Sequence, residues 1–325
     1  MKRWIGWVAL AALVAAVVWS VTGRVDVTDP AQAAAAPVAP QAAPAQPPAA
    51  APAAASFDGA KAWDHLKQMV AIGPRPAGSA QIRQTRAYIT RQLAAMGLTV
   101  QEQPFVGETP NGPVAMVNLI VRLPGRRPDR ILFTGHYDTK LLRNFVGASD
   151  GASSAAILIE LVRSLKDQPR EFTHEFVWFD GEEAVVEWQG LDHTYGSRFY
   201  VQAAQKANAL TSIKAMILLD MIGDRDLDIR PDSNSASWLN AIVWGSAARL
   251  GYSSTFIPVP FTVEDDHLPF VEAGVAAIDI IDLDYPQWHT AQDDLEHVSA
   301  RSLQTVGDVV LDALPEIEKQ LAAPR

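Results

Sequence analysis

Apolar residues recur at helical spacing in AWDHLKQMVAIG (residues 62–73), and the run stops at Gly73-Pro74. QIRQTRAYITRQLAAMG (81–97) repeats the pattern, with Ile82, Tyr88, Ile89, Leu93 and Met96 near one face and Gly97 as its stop. Three strand-like runs follow: LTVQEQPFV (98–106), AMVNLIVRL (115–123) and RILFTGHYD (130–138). Beyond them, SSAAILIELVRSL (153–165) reads as a buried helix, HEFVWFD (174–180) as a strand, GSRFYVQAAQ (196–205) as a helix and KAMILLDMIG (214–223) as a strand. WLNAIVWGSAARLG (238–251) is helical, VAAIDIIDL (275–283) a strand, and SLQTVGDVVLDALPEIEKQL (302–321) a closing helix. Strands apolar on both faces and alternating with helices predict a sheet covered on both sides. The expected fold is α/β, a three-layer α/β/α sandwich with a central mixed, mostly parallel sheet.

The N-terminus has a different pattern. Lys2 and Arg3 precede WIGWVALAALVAAVVWSVTG (4–23), which carries no charge and is long enough to cross a bilayer. Its basic flank predicts that this end stays in the cytoplasm. A cleaved signal sequence is the alternative, and both readings export the rest of the chain to the periplasmic or extracellular face. In residues 31–55, 21 of 25 positions are Ala or Pro, which predicts an extended, semi-rigid spacer. The expected organisation is an N-terminal anchor or signal sequence at 1–24, an Ala/Pro-rich linker at 25–56 and a catalytic domain at 57–325.

Composition narrows the chemistry. The net charge of -10 argues against a nucleic-acid partner held through phosphates. With no cysteine in the chain, disulfides, thiolate nucleophiles and Cys-based metal sites are excluded, so any metal is held by His, Asp or Glu. Such residues cluster where strands end: His136 and Asp138, Asp150 before a helix, Asp180 with Glu182 and Glu183, Asp220, and His289. In sheets of this type the ligand site lies beyond the carboxyl ends of the strands. A catalytic zinc takes three N or O ligands and keeps one position open. Asp150, Glu183 and His289, from separate segments of one rim, can supply them. Glu182 is then left beside the metal, free to move a proton.

GHYDTK, GASDGASSAAILIELVR, FDGEEA, LLDMIG and WHT together resemble the M28 zinc aminopeptidase superfamily. Within it, DGEEAVVEWQGLDHTYGSR, LLDMIGD, and VEDDHLPFVEAGV followed by WHTAQDDLEHV resemble the animal-type glutaminyl-peptide cyclotransferases. The likeness spans roughly residues 60–320. It implies one zinc on Asp150, Glu183 and His289, with Glu182 as general acid and base and Asp220 and Asp265 as its hydrogen-bonded supports. Trp188 and Trp288 would line a small apolar substrate pocket. Tyr285 and His267 join them as candidate substrate contacts, His267 with the alternative of bonding within its own loop. Asp265 and Asp266 also have the alternative of capping the helix that follows them. The implied reaction is cyclisation of an N-terminal glutamine to pyroglutamate with release of ammonia, on a peptide or protein substrate; separately, the chain is expected to be a monomer.

Two features depart from that pattern. Asp279 stands where the animal enzymes carry a histidine, and the loop from there to Trp288 is one residue shorter. A rival from the same superfamily, an exported aminopeptidase, uses His136 and Asp220 for a second zinc and a water activated by Glu182. A third class, a non-catalytic binding ectodomain, would have been signalled by loss of Glu182 or of a zinc ligand, and none is lost.

Overall fold

A computed structural model describes residues 55–323 of the chain. The expected anchor and nearly all of the linker lie outside the described residues. Among the described residues no helix is long and apolar enough to cross a membrane.

Six strands of the described residues form one sheet: β1 (Gln101–Thr109), β2 (Gly112–Leu123), β3 (Arg127–His136), β4 (Phe172–Phe179), β5 (Ile213–Asp220) and β6 (Ala277–Ile281), in the order β1-β2-β4-β3-β5-β6. β4, β3, β5 and β6 run parallel, while β1 and β2 form an antiparallel hairpin whose inner strand pairs antiparallel with β4. The hairpin turns tightly at Gly112, whose φ of 103° is open to glycine at little cost. All eight residues of β4 are buried, as expected of a strand covered on both faces.

Among the described residues seven α-helices supply the cover: α1 (Gly59–Ile72), α2 (Ala80–Ala95), α3 (Ser154–Leu165), α4 (Tyr195–Lys206), α5 (Ser237–Arg249), α6 (Leu268–Glu272) and α7 (Ala300–Ala322). Asp58, Ser79 and Ser299 cap α1, α2 and α7 by accepting first-turn N–H groups. One face of the sheet, with Leu119, Phe133, Trp178 and Ile217, packs on α1, α2, α3, α5 and α7. The other, with Leu132, Val177, Phe179 and Leu218, packs on α4 and α6. Alternate residues of each strand thus go to opposite layers, and the sandwich expected from the pattern is the one formed.

Two local features were not anticipated. A π-helical turn, Ala148–Ser153, precedes α3, with non-helical backbone at Asp150 and Gly151. β1 begins at Gln101 rather than at Leu98, since Leu98 and Val100 pack against the helical side of the core instead.

Candidate active site

The parallel strands β3, β4 and β5 end on the same rim, and each ends in chemistry: His136 closes β3, Glu182 and Glu183 follow β4, and Asp220 closes β5. The turn before α3 brings in Asp150, and the loop after β6 brings in His289. His289 Nε2 lies 3.3 Å from Asp150 Oδ2 and 3.3 Å from Glu183 Oε2. Those two carboxylate oxygens are buried and have no hydrogen-bond donor among the described residues. Buried oxygens with no donor are costly unless a cation meets them, so this N/O/O set fits a metal ion.

The backbone around the three ligands is tightly held. Asp293 accepts the Ser149 and Asp150 N–H groups at 2.7 and 3.0 Å, one on each carboxylate oxygen, and also accepts the Tyr285 hydroxyl at 2.9 Å. Gly151 has φ 97°, and a Cβ there would sit 2.4 Å from the Asp138 carbonyl oxygen, so only glycine fits. Fully buried Arg75 donates to the carbonyls of Tyr137, Val146 and Gly147, fastening the 137–147 loop from within. Asp138 accepts the Glu182 and Glu183 N–H groups at 3.2 and 3.4 Å and so sets the direction of both carboxylates. The Lys140 N–H donates to Glu183 Oε1 at 2.9 Å, leaving Oε2 to face His289, with Lys140 Nζ 3.6 Å from the same oxygen.

His136 and Asp220 are arranged differently. His136 Nε2 lies 3.1 Å from Asp220 Oδ1 and 3.2 Å from Asp150 Oδ1. Asp220 Oδ1 also accepts from Ser154 Oγ at 3.0 Å and from the Met221 N–H at 2.8 Å. Met221 takes a left-handed φ of 46° to make this last bond. The three side chains are close enough to be a second metal candidate, yet the shared oxygen is already engaged.

A cavity of about 390 Å³ opens over this floor. Trp188, Trp288, Val263, Ile281 and Leu283 form its apolar walls, and Glu182, Asp265 and the three ligands line its base. Trp188 stacks on His193 at 4.2 Å between ring centroids, and Trp288 on His289 at 4.3 Å. A larger depression of about 850 Å³ lies elsewhere, with Asp224, Arg225, Asp226, Asp228, Asp282 and Asp284 in its lining. Its inner carboxylates, Asp224 and Asp282, are spent on the backbone N–H groups of Asp226, Asp228 and Asp284.

Burial sets the electrostatics. It pushes Glu182 well above the usual carboxylate range; His136 opposes this, and Asp265, Glu183 and Asp266 add to it. Burial and then Asp150 push Glu183 up to about 7. Burial lowers the His289 imidazole, but the adjoining Asp150 and Glu183 carboxylates outweigh it and lift the group to about 9. The ligand carboxylates therefore hold positive charge at the point where their free oxygens converge.

Each residue singled out in the sequence can now be placed. Asp150, Glu183, His289, Glu182, Asp220, Asp265, Trp188 and Trp288 all line the one cavity. Tyr285 and His267 do not. Tyr285 is 2% exposed and supports Asp293 behind the ligand turn; His267 is fully buried behind Asp265, with Nε2 3.1 Å from Asp232 Oδ2. The expectation of substrate contact for both is corrected: each aromatic ring turns its polar edge to a buried carboxylate rather than to the cavity. Nor do Asp265 and Asp266 cap α6. Asp266 instead accepts the Ser197 hydroxyl, and Asp265 accepts the Asp266 N–H. The roles of Asp138, Asp293 and Lys140 do not show in the sequence pattern. Asp138 sits two residues beyond His136 and Asp293 four beyond His289, and that proximity was the available signal.

The sequence profile of Peptidase family M28 matches residues 118–314, a span containing every ligand and cavity residue named above. The chain belongs to that family. Among the family's members it aligns with a glutaminyl-peptide cyclotransferase of the snake Boiga irregularis at 30% identity over 279 residues, covering 73% of this chain and 75% of that one. A solved glutaminyl cyclase from an Acidobacteriales bacterium superposes with a TM-score of 0.79 at 37% identity, covering 85% of this chain and 100% of the other. A leucine aminopeptidase precursor from Bacteroides thetaiotaomicron is also similar, at 26% identity and a TM-score of 0.73, over 79% of this chain and 97% of that one. This M28 chain is thus grouped with the glutaminyl-peptide cyclotransferases by sequence and with the wider family by fold.

Proposed function

We propose that this chain converts the N-terminal glutamine of a peptide or protein to pyroglutamate, releasing ammonia, at one zinc held by Asp150, Glu183 and His289. The substrate's own α-amine attacks its side-chain amide carbon; a C–N bond forms to close the five-membered ring, and the amide C–N bond breaks. Bound zinc supplies a Lewis acid for the amide oxygen. Glu182 takes a proton from the attacking amine and returns one to the departing nitrogen. Its raised protonation range suits a group that both accepts and donates. The cavity walls Trp188 and Trp288 hold the glutamine side chain folded, so that amine and amide meet within one molecule.

One observation carries the choice of cyclisation over peptide hydrolysis. Among the described residues, Asp150 Oδ2 and Glu183 Oε2 both turn to His289 without an aligned hydrogen-bond donor, whereas Asp220 Oδ1, the oxygen nearest His136, is already bonded to Ser154 Oγ and the Met221 N–H. One metal beside a free Glu182 serves an intramolecular attack, while the hydrolytic alternative calls for two. Metal analysis of the purified full chain tests this, with one zinc per chain expected. Two zincs together with hydrolysis of an aminoacyl anilide would favour the aminopeptidase.

The site works outside the cytoplasm in this reading, tethered by residues 4–23 through the Ala/Pro linker. The uncharged N-terminal run and its basic flank support that placement. The full chain is expected in the membrane fraction and resistant to an alkaline wash; recovery as a shortened soluble protein would mean the segment is cleaved.

A further inference from the structure

Behind Asp265, on the side away from the cavity, lies a row of buried ionisable side chains with no part in the scheme above. The Asp279 carboxyl, on β6, faces that of Asp265 within hydrogen-bond reach. On the other side of Asp279, its Oδ2 is 3.5 Å from His267 Nδ1, and His267 Nε2 is 3.1 Å from Asp232 Oδ2. Asp232, His267 and Asp279 are completely inaccessible to solvent, and Asp265 is 4% exposed.

The far end of the row is fixed. Asp232 Oδ1 accepts the Val263 N–H at 3.1 Å, and its Oδ2 accepts the Ser235 hydroxyl at 3.0 Å. The same Ser235 oxygen accepts the Asp279 N–H at 3.0 Å, so one side chain ties Asp232 to the strand that carries Asp279. Asp279, by contrast, has no backbone or hydroxyl donor on either oxygen among the described residues. Only its two ionisable neighbours can satisfy it, and an unsatisfied buried carboxyl is strongly disfavoured.

Proton counting defines what the row does. Nε2 lies 3.1 Å from Asp232 Oδ2 without an aligned hydrogen bond, and Asp232 already accepts two other donors, so only the imidazole can supply a hydrogen to that contact. Nδ1 and Asp279 Oδ2 then approach favourably only with one proton between them, whichever of the two holds it. The remaining Asp279 oxygen and Asp265 are likewise two acids that meet only through a shared proton. The contacts run without a break from Asp232, through the imidazole and Asp279, to an acid on the cavity wall beside Glu182.

We propose that His267, backed by Asp232, is a positioning residue for the reaction. It keeps a proton on the far side of Asp279, so that Asp279 receives Asp265 on its near side and Asp265 stays aimed at the cavity. An imidazole oriented by a carboxylate so that its other nitrogen serves a third group is a recurrent arrangement at active sites. Here it acts one residue removed from the substrate. The other charged groups facing Asp279 and Asp265 are Asp220 at the end of β5, Asp266 and Glu182, all acids, and His136 is the cation nearest to Glu182. The proposal rests on the cyclisation reading.

The test compares the full chain with its His267→Gln, Asp232→Asn and doubly substituted forms, measuring bound zinc, thermal midpoint, and kcat and KM for a glutamine peptide across pH. His267→Gln is expected to keep its zinc and a KM within a few-fold, while kcat falls roughly 10- to 100-fold. The acid limb of its kcat profile should move to higher pH, because Asp279 loses a donor that favours its charged form. Asp232→Asn should act in the same direction, and the double substitution should cost no more than the worse single one. Unchanged kcat and an unmoved acid limb would overturn the proposal, as would a lowered thermal midpoint with the profile unmoved. Should His267→Gln fail to fold, the isosteric Asp232→Asn decides by the same profile. If the unsubstituted chain forms no pyroglutamate, the cyclisation reading fails and this proposal falls with it; if it does and the variants match it, only this proposal fails.

Discussion

Asp293 grips the main chain of Asp150: one carboxylate oxygen accepts the Asp150 N–H at 3.0 Å and the other the Ser149 N–H at 2.7 Å. The ligand's direction is thereby set by a residue that touches no ligand atom, and Tyr285 holds that residue in turn. Replacing Asp293 by Ala leaves two buried N–H groups without acceptors, each worth about 1–3 kcal/mol. Zinc affinity should fall about 10- to 100-fold, read by competition with a chelating dye. Tyr285→Phe removes one of three donors to the same carboxylate and should weaken zinc by much less.

Glu182 separates catalysis from metal binding. Glu182→Gln should retain zinc and a KM near that of the parent, with kcat lower by about 10²- to 10⁴-fold, since only the proton carrier is gone. Burial already favours the uncharged side chain at this position, so the thermal midpoint of the variant should equal or exceed the parent's. A variant that loses zinc along with activity would place Glu182 among the ligands instead.

Without metal, the acidic floor makes stability fall as pH rises. Burial raises Glu183 and Asp266 to about 7, and holds Glu182, Asp265 and Asp279 well above the usual range. These groups are neutral in both folded and unfolded chains below about pH 4. As pH climbs through 7 the unfolded chain sheds its protons more readily than the folded one, and the stability they contribute is lost. Chelator-treated protein should therefore show a thermal midpoint that declines from pH 5 to pH 8. Zinc favours ionised Glu183, so the loaded protein should decline less, and scanning calorimetry with and without chelator reads the difference.

The tryptophan walls are expected to act on substrate binding. Trp188→Ala and Trp288→Ala each remove an aromatic face from the cavity, costing about 1–2 kcal/mol, or roughly 5- to 30-fold in kcat/KM. Trp288 is 44% exposed and stacks on the ligand His289, so its loss should also weaken zinc slightly, whereas Trp188→Ala should leave zinc unchanged. Titration of zinc into both variants separates the two effects.

The sheet and its helices were legible because each strand and helix carries its own period: β4 is apolar throughout, and α2 is striped and ends before Gly97. The ligands were legible for a related reason, since parallel strands deliver their last residues to one rim, and an acid or imidazole there stands out against an apolar run. What supports them was not. Asp138 and Asp293 act through backbone N–H groups of loops, and such contacts leave no periodic trace. Tyr285 and His267 each lie two residues from a cavity residue, Leu283 and Asp265, yet face the other way, because loop direction depends on dihedrals such as the left-handed φ of 54° at His289. The π-helical turn at Asp150 was hidden likewise, as its glycines announce only that the backbone is unusual.

Mass spectrometry of a peptide beginning with glutamine, incubated with the full chain and with its Glu182→Gln form, tests the central claim most directly. The intact chain should remove the mass of one ammonia and leave every backbone peptide bond whole, while the variant should not exceed the spontaneous rate. Free glutamine and a peptide one residue shorter would contradict the account and make this M28 protein an aminopeptidase.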